Sequence, residues 1–140
     1  MREAGGGRRK AGGSGASRIV TAGFERRDER GVFREVLNGF EARTFVCGEM
    51  KKGAVLGNHY HKRTRVFFYL TRGAAQVATL NVETGEKDSF GLKENQGCFF
   101  EVNETHAVYF TEDGRFAMLK SLAYDPADPD TFPHPVNGLP

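Results

Sequence analysis

Residues 57–73 read GNHYHKRTRVFFYLTRG. Two histidines one residue apart, His59 and His61, precede a basic turn, and the turn opens into the apolar run Val66 to Leu70. In an extended chain side chains alternate, so His59 and His61 share one face while Asn58 and Tyr60 point to the other. The run that follows is β-branched and aromatic and closes on Gly73, the composition of a buried strand ending in a turn. The stretch predicts two strands, 56–61 and 65–71, joined by a short basic loop.

The same pattern extends in both directions. All five prolines fall at Pro126 or later, and before them short aromatic and β-branched runs alternate with Gly, Asn, Asp and Lys turns. Further strands are predicted over 18–24, 32–37, 43–50, 74–81, 86–91, 97–102, 106–111 and 115–123, with no helix longer than two turns. So many short strands call for an all-β chain that closes on itself, a single jelly-roll barrel or sandwich, which hides most strand edges. Phe67, Phe68, Phe99, Phe100, Phe110 and Phe116 cannot all face one way. One subset is expected to line the barrel and the other to form a second apolar surface suited to pairing two copies as a homodimer.

The ends read differently. Residues 1–17 are expected to be a flexible Gly/Arg-rich leader, 18–124 the folded domain, and 125–140 an irregular Pro-rich tail laid across the domain through Phe132. Five basic residues against Glu3 give residues 1–18 a balance of +4, so the net charge of +2 leaves the rest of the chain at −2. That distribution argues against a nucleic-acid partner for the body. No membrane span and no export signal are read, and the cytoplasm is the expected compartment. Cys47 and Cys98 sit in apolar runs and are expected to be buried free thiols.

A third histidine, His106, opens the later run HAVYF. If its strand neighbours the first pair, His59, His61 and His106 could hold Zn(II), Fe(II), Mn(II) or Ni(II) with positions left for water or substrate. His134, bracketed by prolines, is expected to be solvent-exposed. Arg65, Lys62 and Arg63 surround the motif and are candidate contacts for an anionic substrate. Tyr69 and Tyr109 are candidate proton carriers, while Tyr60 is expected on the outer surface.

GNHYHKRTRVFFYLTRG resembles the first cupin motif, and QGCFFEVNETHAVYF (96–110), with its late His106, resembles the second. With DERGVFREVLNG (28–39), KKGAVLGNHYHKRT (51–64) and YDPADPDTF (124–132), the chain is similar to the C-terminal cupin domain of bifunctional capsular-polysaccharide enzymes. Those enzymes join a zinc-dependent C3 epimerase for nucleotide-linked 4-keto hexoses to a short-chain reductase. DERGVFRE more distantly resembles dTDP-4-dehydrorhamnose 3,5-epimerases and sugar 3,4-ketoisomerases.

The resemblance implies a cupin jelly roll and His59, His61 and His106 as ligands, but the glutamate ligand of these families falls at Val66 here. A three-histidine site, a weakened or absent metal site, and rescue by Glu49 or Glu101 remain open. The expected function is a metal-assisted isomerase or epimerase acting on a nucleotide-linked keto sugar in polysaccharide biosynthesis. A three-histidine metal dioxygenase or related oxidoreductase and a non-catalytic ligand-binding cupin are the alternatives. In the first, the metal would hold the enolate oxygen; without a metal, His59 or His106 would serve as base.

Overall fold

The computed structural model describes residues 15–137 of the chain. All but the last three residues of the expected leader lie outside the described residues. The strands are β1 (Phe24–Asp28), β2 (Gly31–Glu35), β3 (Thr44–Met50), β4 (Val55–Tyr60), β5 (Val66–Arg72), β6 (Ala75–Asn81), β7 (Lys87–Leu92), β8 (Gln96–Phe100), β9 (Glu104–Phe110), β10 (Gly114–Lys120) and β11 (Phe132–Pro133). β1 and β2 form a separate hairpin. The others build a four-stranded sheet, β3-β10-β5-β8, and a five-stranded sheet, β11-β4-β9-β6-β7, facing each other in an all-β, jelly-roll cupin-like fold. No described helix is long and apolar enough to cross a membrane.

Alternation explains which side chains fill the space between the sheets. Val66, Phe68 and Leu70 of β5 point inward, with Phe100 and Cys98 of β8, Val108 and Phe110 of β9, and Phe116 of β10, into one buried cluster. Phe67 and Phe99 point outward and, with Val20, form a second cluster. This splits the phenylalanines into two sets, as expected. The second set is not left bare, because Val36, Leu37 and Phe40 of the segment after β2 pack over it. β5 is therefore apolar at consecutive positions because both of its faces are covered.

Three expectations fail here. The expected strand 18–24 does not form, and only Phe24 belongs to one, as the first residue of β1: a short 3₁₀ turn, Gly15–Arg18, leads to an isolated bridge between Val20 and Gly97. Arg18 ties this segment to both sheets, its guanidinium donating to Glu104, to Thr79 Oγ1 and to the Phe99 carbonyl, with a part-buried ion pair to Glu104. Cys47 is exposed, since the alternation of TFVCGEM turns Phe45, Cys47 and Glu49 outward; Cys98 is buried, as expected. The tail is not wholly irregular, because Phe132 pairs with Tyr60 and Pro133 with His59 as an edge strand.

Candidate functional site

The histidines meet because β4 carries a bulge. Gly57 pairs with Ala107 and His59 with His106, leaving Asn58 as the extra residue. Gly57 sits at φ +104° and Asn58 at φ +61°, conformations that glycine and asparagine tolerate best. A Cβ on Gly57 would collide with the His106 backbone carbonyl. The bulge thus re-aims His59 directly across from His106, a common use of bulges near sites. The ring centroids lie 4.8 Å apart for His59 and His106, 5.1 Å for His59 and His61, and 5.8 Å for His61 and His106.

Two of the rings are held from behind. His106 stacks on Phe100 with centroids 4.1 Å apart and planes 2° from parallel. His61 Nδ1 lies 2.7 Å from the Asp130 carbonyl oxygen; a carbonyl only accepts, so Nδ1 carries the proton and Nε2 is left with its lone pair. Asp130 is in turn fixed. Its carboxylate accepts from the backbone N–H groups of Lys62, Arg63 and Thr64 and from the Thr64 hydroxyl. The DPADPD tail is thereby a strap that sets the His61 loop.

The cavity between the sheets, about 100 Å³, is lined by the three histidines, Leu56, Gly57, Val66, Phe68, Phe100, Val108, Met118 and Lys120. Burial first, then the neighbouring His61 and Lys120 charges, lower His59 to about 4. Burial and the other two imidazoles lower His106 to about 3. His61 is lowered too, chiefly by burial. All three are therefore neutral at pH 7, the form that ligates a metal. Their candidate donor atoms lie within 4.8 Å of one another, and side-chain adjustment would close that spread to reach bonds of about 2.0–2.1 Å to one ion. The donor set fits a divalent ion.

Other candidates are placed elsewhere. Tyr69 packs on the outer cluster with its hydroxyl buried and without a hydrogen-bond partner among the described residues. Tyr109 falls between the inward Val108 and Phe110 and so faces out. Neither lines the cavity, because each occupies the wrong parity on its strand. Arg65 pairs with Glu101 at 2.8 Å and lies over Phe99. Arg63 pairs with Asp128, and the Lys62 ammonium lies 4.4 Å from the Phe132 ring centroid. None of these three is among the cavity-lining residues.

Rescue of the missing ligand by Glu49 or Glu101 is overturned: Glu49 is exposed beside Arg115, and Glu101 is held by Arg65. Tyr60 stacks on Phe132 away from the site, as expected. His134 is half-buried rather than exposed, since its backbone N–H donates to Asn58 and its carbonyl accepts from Thr105. Sequence reasoning missed Lys120. The signal was present in the alternation Phe116, Met118, Lys120, which puts the lysine on the inner face.

Three comparisons with known proteins bear on this arrangement. Among curated proteins no sequence matches the chain. CapF, a capsular polysaccharide assembling protein from Staphylococcus aureus, is similar in structure, with a TM-score of 0.64, 22% identity, and coverage of 81% of this chain but 32% of that one. The chain thus spans about a third of CapF. A dTDP-4-dehydrorhamnose 3,5-epimerase from Sulfolobus tokodaii has a TM-score of 0.69 at 17% identity, over 78% of this chain and 72% of that one. A 3,4-ketoisomerase from Helicobacter canadensis has a TM-score of 0.69 at 19% identity, over 81% and 87%. These likenesses establish the shared fold. The family model described as the polysaccharide biosynthesis C-terminal domain matches residues 26–132, from the first hairpin to the strand that ends the strap, and the chain belongs to that family.

Proposed function

We propose that the chain is a metal-assisted isomerase or epimerase acting on a nucleotide-linked keto sugar. The observation that carries this reading is the convergence of His59, His61 and His106, all in their neutral forms, on one small apolar cavity. Membership of a polysaccharide-biosynthesis family and a fold shared with sugar epimerases and a ketoisomerase support it.

A divalent ion held by the three imidazoles, whether zinc, iron, manganese or nickel, would supply Lewis-acid polarisation of a ketone oxygen. The chain's own residues do the rest. Val66, Phe68, Phe100 and Met118 wall the cavity against water and strengthen every charge interaction inside it. The cavity admits the reacting end of a sugar, and Lys62 and Arg63, which directly follow His61, are proposed to meet the diphosphate outside it. With Tyr69 and Tyr109 turned outward and the three imidazoles engaged by the ion, Lys120 is the remaining titratable side chain lining the cavity, and it is proposed to carry the proton beside the ketone.

A homodimer belongs to the same proposal. Phe45 pairs with Leu119, Leu119 with Phe67, and Phe67 with Phe99, an apolar row across the outer face of the four-stranded sheet. Phe67 and Phe99 are covered by the chain itself, but Phe45 at the end of the row is 67% exposed. A second copy is proposed to cover it.

Incubation with 4-keto nucleotide sugars in deuterium oxide tests the reading: uptake at the carbon beside the ketone is expected, and no uptake across a panel of such sugars defeats it. The all-imidazole donor set favours a second reading, a metal dioxygenase or related oxidoreductase, and oxygen consumption coupled to a small acid or thiol would select it.

A further inference from the structure

Lys120 is the one charged side chain lining the histidine cavity among the described residues. It is half-buried, and its strand position pairs with Val66, which pairs with Phe100 on the other side. Lys120, Val66 and Phe100 therefore form one inward row facing the three imidazoles. Val66 is 1% exposed and supplies only methyl groups. No carboxylate lines the cavity, and the ammonium of Lys120 has no ion-pair or hydrogen-bond partner among the described residues.

A divalent cation bound by three neutral imidazoles beside this ammonium would put a charge of +3 into a largely apolar cavity. Uncompensated charge in such surroundings is strongly unfavourable. The two cations also repel each other, and only a negative group can relieve both. The cavity has space for one: a water needs about 10–15 Å³ of comparable volume, against about 100 Å³ here.

We propose that the three-histidine cavity takes up its metal ion together with a small oxyanion, a carboxylate or an enolate, which pairs with Lys120 and supplies the negative oxygen that Val66 does not. This rests on the metal-assisted reading above and adds to it a requirement on the ligand. A substrate that ionises to an enolate brings the anion itself, and a free carboxylate from solution would act in the same way. Lys120 is then a specificity residue, selecting ligands that carry negative charge at the reacting end. Coupling of this kind is reciprocal: the anion tightens the metal as much as the metal tightens the anion.

The test is titration of the purified, metal-stripped full chain with Co(II), followed by visible absorption and calorimetry, with and without formate at constant ionic strength. Formate is expected to tighten Co(II) binding by roughly tenfold or more, within the usual range of coupling between sites. Lys120→Met, which keeps the alkyl stem, should bind Co(II) at least as well without formate and show no formate effect. Val66→Glu should bind Co(II) more tightly than the parent chain and also lose the formate effect. If Val66→Glu fails to fold, the parent chain and Lys120→Met decide the matter alone. Co(II) affinity that is the same with and without formate overturns the proposal, as does a formate effect that survives Lys120→Met. No Co(II) binding in either condition overturns the metal-assisted reading and this proposal with it.

Discussion

His106 and Phe100 lie face to face, 4.1 Å between ring centroids and 2° from parallel. Phe100 belongs to the four-stranded sheet and His106 to the five-stranded one, so this stack joins the two halves of the barrel at the three-histidine cavity. Phe100→Ala should cost about 3–5 kcal/mol in a urea titration, the usual cost of emptying a buried aromatic site. It should also weaken Co(II) binding, because His106 loses the surface that orients it. Phe100→Leu should recover much of the stability and less of the metal affinity.

Gly57 has both a left-handed backbone and no space for a side chain. Gly57→Ala is expected to destabilise the chain by about 1–3 kcal/mol and to part His59 from His106. Denaturant unfolding measures the first effect and metal titration the second. Gly53→Ala is the control: it shares a positive φ but has open space around it, so metal binding should be unchanged.

Asp130 makes the strap sensitive to acid. Burial by itself would raise its pKa, but the hydrogen bonds from the Lys62 N–H, the Thr64 hydroxyl and the Arg63 and Thr64 N–H groups outweigh burial and hold it below the ordinary 3.8. A group with a depressed folded pKa contributes stability that is complete above its unfolded value and is lost as pH falls through its folded value. The contribution of Asp130 should therefore be whole at pH 7 and decline below about pH 4. Asp130→Asn should cost about 1–3 kcal/mol at pH 7, with the difference from the parent chain shrinking as the pH falls. Urea titrations across that range measure it.

Phe45 reports on assembly. Phe45→Lys should shift the mass measured by light scattering from dimer to monomer and leave the circular dichroism spectrum unchanged, since the side chain is 67% exposed within one copy. A monomeric parent chain would end the dimer proposal.

Much of the fold was legible in the residues. The strand-rich body, the parity of His59 and His61 and the division of the phenylalanines between two faces all follow from a period of two, which is local. The hairpin Phe24–Asp28 with Gly31–Glu35 was half seen, because FERRD is polar and has no apolar alternation to mark it. Tyr69 and Tyr109 were attractive by chemistry, yet their parity beside Phe68 and Val108 already set them on the outer faces.

By itself the sequence determined the all-β class, the cupin resemblance and the absence of a glutamate at Val66, because composition, motif and alternation are properties of neighbouring residues. Only the tertiary structure decided that a bulge at Gly57 sets His59 against His106, that Asp130 reaches back to fix His61, and that Lys120 stands beside Val66 in the cavity. Each of these joins residues far apart in the chain. Strand pairing and register bring them together, and no local pattern specifies which distant strand will be the neighbour.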